Sequence, residues 1–244
     1  MFPMRRFPLL IMLFGCRLAA QVLTEPPLLI HLVRGESSRP YGRTQTAATV
    51  IAMSSLTGPA ETWRVEMHGS FGSIEDTEEA MRGHAKATKP EMLSTELFGD
   101  SRSLVAVYRP GLSYRADQAI RLFSKAKYYY VSVHRVRLGA SGDFSAGLRA
   151  RREGLDDVNL DRPDIAYQVV AGAPSGTYIL LAPMTALSTL DEGLARRAYQ
   201  ADQGTSKTGS ELSRTNLLFR VEPGMSYVSD AFAGDAQEFW RGKR

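Results

Sequence analysis

The sequence predicts an α+β fold made of two tandem βαββαβ units whose sheets pack against each other. Three observations lead there: a short motif written twice, a matching order of elements around each copy, and a length of 244 residues, enough for one large or two small cores. RPGLSY at Arg109–Tyr114 returns as EPGMSY at Glu222–Tyr227, 113 residues later. Upstream, ETWRVEMHGSFGSIED (Glu61–Asp76) parallels GTYILLAPMTALSTLDE (Gly176–Glu192), with Thr62 and Trp63 matched to Thr177 and Tyr178 at a shift of 115. Self-similarity at a fixed period marks a duplicated structural unit.

The second unit, residues 125–244, reads in order. Tyr128–Leu138 (YYYVSVHRVRL) is a β-branched and aromatic strand closed by Gly139. Phe144, Leu148 and Leu155 recur at helical spacing among Arg149, Arg151, Arg152 and Glu153. Ile165–Ala171 and Thr177–Ala182 are strands joined through GAPSG, whose glycines and proline suit a hairpin. Thr185 or Ser188 caps a helix running through Leu190, Leu194 and Ala198, and Leu217–Val221 is the last strand. The order β-α-β-β-α-β is the ferredoxin-like split βαβ.

The first unit, residues 21–124, shows strands at Leu28–Arg34, Thr49–Ser55, Thr62–His68 and Leu104–Arg109, with a helix over Ser73–Met81. Its first helix is missing: Gly35 to Thr62 is 11 residues shorter than Gly139 to Thr177, and GESSRPYGR reads as loop. One face of that sheet is therefore expected to be poorly covered.

Residues 1–20 are read as an export signal. Arg5 and Arg6 precede an apolar run, Phe7–Gly15, too short to span a bilayer, and small residues follow at Ala19 and Ala20. Cleavage after Ala20 gives a periplasmic or secreted chain; modification at Cys16 gives a lipid-anchored one, against which stands the bulky Phe14 before Gly-Cys. No transmembrane segment is expected in the remainder. Removing three arginines and no acid lowers the net charge from +4 to +1, and no basic tract remains, which disfavours nucleic acid. A single cysteine excludes an intramolecular disulfide and a four-cysteine zinc site.

On this element order over roughly residues 26–227, together with the duplication, the chain resembles the dimeric α/β-barrel superfamily, which includes the NIPSNAP and antibiotic-biosynthesis monooxygenase-like families, here as a fused pseudo-dimer. Its members range from oxygenases and isomerases to haem-degrading enzymes, so the resemblance implies a fold and not a reaction. It also implies a ligand site between the sheets, which makes strand parity decisive. Along Thr62–His68 the residues Trp63, Val65 and Met67 share one face and Arg64, Glu66 and His68 the other. With the apolar set assigned to the helix layer, the inter-sheet space would hold His31, Arg64, Glu66, Tyr130, Ser132 and His134 as a polar pocket. The matching second-unit positions, Ile179, Leu181 and Pro183, would form a greasy wall. The bland alternative is a half-exposed sheet with charge pairs in solvent, and satisfied buried histidines.

Motifs of specific chemistry are absent. No H-x-H or H-x-x-E spacing supports a metal or haem, so neither metal nor cofactor is expected. GAPSG lacks the lysine and strand-to-helix setting of a phosphate loop, GTSKTGS (Gly204–Ser210) fails the same pattern, and no G-x-S-x-G elbow exists. No acid is placed beside Ser132 and His134 to complete a triad. The two PG-x-SY segments read as type II turns, and Phe239 and Trp240 of the tail are expected to dock on the body.

Three functions follow. The first is an exported protein that binds a small apolar or aromatic molecule between the sheets. The second is a cofactor-light monooxygenase- or isomerase-like enzyme using His134, His31 and Glu66 as acid and base, with Arg64, Tyr130 and Ser132 binding the substrate. The third is an interaction module whose uncovered sheet face joins another chain, including a homo-oligomer partner.

Overall fold

The β-branched and aromatic runs become eight strands in the computed structural model, which describes residues 23–36, 48–82, 95–99, 101–195 and 209–241. They are β1 (Leu29–Glu36), β2 (Thr49–Ser55), β3 (Glu61–His68), β4 (Ser103–Tyr108), β5 (Tyr128–Val136), β6 (Ile165–Ala171), β7 (Thr177–Met184) and β8 (Glu211–Val221). Every neighbouring pair is antiparallel, and the strands close into one barrel in the order β1-β3-β2-β8-β5-β7-β6-β4. The first four strands thus stand β4-β1-β3-β2 and the last four β8-β5-β7-β6, the same order twice. Helices α1 (Phe71–Arg82), α2 (Thr95–Phe98), α3 (Ala116–Phe123), α4 (Ser141–Asp157) and α5 (Ser188–Ala195) fill the connections. Residues 1–20, read as a signal, and 37–47, where a helix was expected to be missing, lie outside the described residues. Among the described residues no helix is long and apolar enough to cross a membrane.

Closing eight strands leaves an interior just wide enough for side chains to fill, and apolar ones fill it. Trp63, Val65 and Met67 point inward with Ile30, Leu32, Ile51, Met53, Val131, Ile179, Leu181 and Phe219. Trp63 stacks at a tilt on Phe219, 4.5 Å between ring centres, and on Phe98 of α2 at 5.6 Å, so α2 plugs that end. The apolar face of α3 (Ala119, Ile120, Phe123) joins the same core. Trp240 packs edge-on with Phe232 and donates Nε1–H to the Ser124 carbonyl at 2.7 Å, so the tail docks as expected.

This reverses the expected use of the strand faces. The apolar set of β3 looks into the barrel and the polar set looks outward, away from the space between the sheets. Ile179 and Leu181, expected to share a face with Arg64 and Glu66, share the interior with Trp63 and Val65. The cavity found in that interior is about 10 Å³, lined by Ile51, Met53, Val65, Met67, Phe123, Tyr129 and Leu181, room for about one water and no polar lining to hold it. Among the described residues this cavity offers a ligand neither the space nor the polar contacts expected between the sheets.

The twice-written motif has a different job from the one its composition suggests. Neither Gly111 nor Gly224 has positive φ, so these are not type II turns. Both are single 3₁₀ turns: Leu112 N–H and Ser113 N–H donate to the carbonyls of Arg109 and Pro110, and Met225 and Ser226 to those of Glu222 and Pro223. The serine hydroxyl then donates back to the first carbonyl, Ser113 to Arg109 and Ser226 to Glu222. Each also accepts from a backbone N–H across the chain, Ala166 to Ser113 and Ala52 to Ser226, both at 2.9 Å. Tyr114 pairs with Asp164 and Tyr227 with Val50 beside them. The two motifs fasten the two seams, β4 to β6 and β8 to β2. Ser113→Ala and Ser226→Ala each strand a buried N–H and are each expected to cost about 1–3 kcal/mol in urea unfolding.

The hairpin between β6 and β7 is held by its glycines. Gly172 (φ +82°) and Gly176 (φ +81°) adopt a left-handed backbone, and a Cβ there would lie 2.3 Å from the Ser103 carbonyl and 2.2 Å from that of Val136.

Candidate functional site

The outward face of β1 and β3 gathers the polar residues that the barrel interior cannot take. His31 of β1 stands directly across from Glu66 of β3, and Leu29 across from His68, so two histidines and a carboxylate meet within one turn of sheet. His31 Nδ1 lies 2.9 Å from Glu66 Oε2 and Arg64 Nη2 donates to Glu66 Oε1 at 2.9 Å. His68 Nε2 is 3.8 Å from the same Oε2, beyond hydrogen-bond reach. Glu66 is 1%, His68 3% and His31 9% exposed, which makes this a buried ionic cluster and not the solvent-facing charge pairs of an open sheet.

The start of α1 orients His68. Ser70 and Ser73 cap the helix reciprocally, Ser73 N–H donating to Ser70 Oγ at 3.2 Å and Ser70 N–H to Ser73 Oγ at 3.4 Å. The single Ser73 hydroxyl proton is committed to the Ser70 carbonyl at 2.8 Å. Ser73 Oγ, 3.3 Å from His68 Nδ1, is therefore an acceptor for that ring, and Nδ1 carries the hydrogen. In the neutral ring Nε2 then bears a lone pair; it is buried and has no hydrogen-bond partner. Two acceptors, His68 Nε2 and Glu66 Oε2, face one another. Burial pushes the Glu66 carboxyl up, but the hydrogen bond from His31 and the Arg64 guanidinium outweigh it and lower its pKa to about 2, so the group is a carboxylate at neutral pH. His31, Glu66 and His68 are also the residues whose ligand atoms, all within 4.8 Å of one another, could hold a metal ion.

The other expected site residues lie elsewhere. β5 stands four strands from β1 around an eight-stranded ring, diametrically opposite. There Ser132 donates to Asn216 Oδ1 at 2.8 Å, Tyr130 lies under the Arg162 guanidinium at 4.2 Å, and His134 Nδ1 is paired with Glu211. His134 is 1% exposed with its ring 5.3 Å from that of Phe144 of α4. Burial holds its pKa down; Glu211 opposes this, while Arg214 and Arg151 add to it. The six residues expected from strand parity to share one pocket thus divide between opposite sides of the ring: His31, Arg64 and Glu66 come together, whereas Tyr130, Ser132 and His134 lie on β5, each with a partner of its own. His68 completes the first group. Its signal is present in the sequence as Glu66-x-His68, one strand period apart, a spacing that is neither H-x-H nor H-x-x-E.

Neither a protein-family model nor a curated protein sequence matches the chain. Among solved structures it is similar to a candidate monooxygenase from Fusobacterium nucleatum subsp. nucleatum, at 10% identity and TM-score 0.48, over 84% of this chain and 99% of that one. A candidate monooxygenase from Lactobacillus acidophilus has 10% identity and TM-score 0.45 over 84% of this chain and 100% of that one. An anthrone oxidase-like protein has 9% identity and TM-score 0.44 over 80% and 90%. At these values the likenesses say nothing of the chemistry of this chain.

Proposed function

We propose that this chain is an exported, fused duplicate of the ferredoxin-like unit that binds a small cationic or hydrogen-bond-donating ligand on the outer face of β1 and β3, at Glu66. The observation that carries it is His68 Nε2, a buried nitrogen without a hydrogen-bond partner that stands 3.8 Å from the Glu66 carboxylate. Buried polar groups are ordinarily satisfied, and what satisfies this nitrogen beside a carboxylate must bring a donor or positive charge. Export follows from the reading of residues 1–20 and places the site in the periplasm or outside the cell. The ligand differs from the apolar or aromatic molecule expected from the sequence, because the apolar interior is already filled by the chain's own side chains.

Thermal-shift measurements of the full chain against small amines, amidines and divalent metal salts test the reading. At least one is expected to raise the melting temperature of the wild type and not of Glu66→Gln. A panel that shifts neither protein, or both equally, removes it. Acid–base catalysis is the second reading, favoured by the His31–Glu66 contact, in which a carboxylate orients an imidazole. His134 has no part in it, being on the far side of the barrel.

A further inference from the structure

We infer that the ligand of this face is a divalent transition-metal ion of the zinc type, held by His31, Glu66 and His68. The inference rests on the outer face being the binding site and names what binds there. Two imidazoles and one carboxylate are the donor set of metal centres that keep a position open for water or a further ligand. A zinc ion bonds such donors at about 2.0–2.2 Å. Glu66 Oε2 lies 2.9 Å from His31 Nδ1 and 3.8 Å from His68 Nε2, and all three ligand atoms lie within 4.8 Å, so an ion among them reaches each with sub-ångström side-chain shifts.

The surroundings are those a metal centre needs. Ser73 holds the His68 hydrogen on Nδ1 and leaves the Nε2 lone pair directed at the carboxylate. Arg64 takes Glu66 Oε1, and Oε2 meets His31 Nδ1, so an ion would bridge these two atoms in place of the hydrogen now between them. A proton on His68 Nε2 is the competing way to satisfy the gap. At 3.8 Å that proton would fall short of a hydrogen bond, whereas an ion midway would be in bonding range of both atoms. Arg64 stays positive beside the ion, so the open position favours a negative ligand such as hydroxide or a carboxylate.

Isothermal titration of the chelator-stripped full chain with zinc chloride is expected to show one equivalent bound. His68→Ala and His31→Ala are expected to weaken binding about 100-fold or more, and Ser73→Ala, which touches only the outer nitrogen of His68, about 10-fold. Circular dichroism and melting curves accompany each variant, and Ser73→Ala, at a helix start, keeps the comparison available should a histidine variant fail to fold. With cobalt chloride in place of zinc, visible absorption of a four- or five-coordinate site is expected in the wild type and lost in His68→Ala. Absence of zinc binding, or affinity unchanged in both His68→Ala and Ser73→Ala, overturns the inference. If amines or amidines still give a melting shift that depends on Glu66, the outer face remains the binding site and only the metal falls; if nothing does, both fall.

Discussion

Glu61→Ala is expected to destabilise the barrel by about 3–5 kcal/mol, the cost of leaving one member of a buried ion pair without its partner. Arg34 and Glu61 are 2% and 3% exposed, and they point inward with the apolar residues of β1 and β3. The carboxylate takes three charge-assisted bonds: Arg34 Nε at 2.9 Å and Trp63 Nε1 at 3.0 Å to Oε2, and Arg34 Nη2 at 2.6 Å to Oε1. The guanidinium also donates to the Ser101 carbonyl at 2.9 Å and lies 5.3 Å over the Phe98 ring. The pair seals the end of the barrel that α2 plugs, and it sets the Trp63 ring between Phe98 and Phe219. Removing Glu61 leaves a desolvated guanidinium and an unbonded indole N–H together. Urea unfolding at fixed m-value measures it. The double change Arg34→Met with Glu61→Leu is expected to recover the part of the loss that comes from keeping the guanidinium buried without Glu61, and not the part that comes from the Trp63 N–H. A fall of less than about 1 kcal/mol in Glu61→Ala would show that water reaches the pair.

The Arg34 pair illustrates what strand periodicity can and cannot say. Alternation identifies which residues share a face, and on that point the sequence was legible: Trp63, Val65 and Met67 do point together, as do Arg64, Glu66 and His68. Strands β2 and β6 run over the same residues expected from their apolar content, and most other boundaries fall within two residues. Which face looks inward is a property of the closed ring, and closure is set by pairings such as Met53 with Val221 that are remote in sequence. Elements without a periodic apolar signature escaped notice. The first half of β8, Glu211–Asn216, is polar throughout except for Leu212, and it is a strand because it extends the ladder along β5. Helix α3 was not assigned from the sequence, although Ala119, Ile120 and Phe123 keep helical spacing.

The candidate site was half legible for the same reason. His31, Arg64 and Glu66 could be grouped from parity, and the barrel does bring them together. His134 was grouped with them because it occupies a like parity on a like strand, but β1 and β5 stand on opposite sides of the ring. The strand order β4-β1-β3-β2 followed by β8-β5-β7-β6 keeps corresponding positions apart, so parity alone joined residues that the barrel separates. The serines of the two PG-x-SY motifs show the opposite case, in which the symmetry itself is the function, one fastening for each seam.

Acid is expected to weaken the fold in two stages, and comparison with Glu66→Gln isolates the share of Glu66 in the second. His134 has a folded-state pKa below its ordinary 6.5, so the unfolded chain takes up the proton first; the stability it supplies is present above about pH 6.5 and is lost as pH falls below that. Glu66 has its pKa lowered from 4.5 to about 2, so its contribution is complete above pH 4.5 and is lost as pH falls from 4.5 toward 2. At about 1.4 kcal/mol per unit, that second stage amounts to roughly 3 kcal/mol. Urea midpoints measured between about pH 7 and pH 2.5 should therefore fall twice. Glu66→Gln carries no carboxylate to protonate and is expected to be less stable than the wild type near neutrality, with the difference closing below pH 4.5; His134→Gln is expected to flatten only the upper stage. A Glu66→Gln protein that keeps the full wild-type slope between pH 4.5 and 2.5 would mean that the carboxylate is not held by His31 and Arg64 in solution. The same titration in zinc chloride separates metal from proton: ion and protons compete for this donor set, so zinc should protect near neutral pH and lose its effect as acid is added, in the wild type and not in His68→Ala.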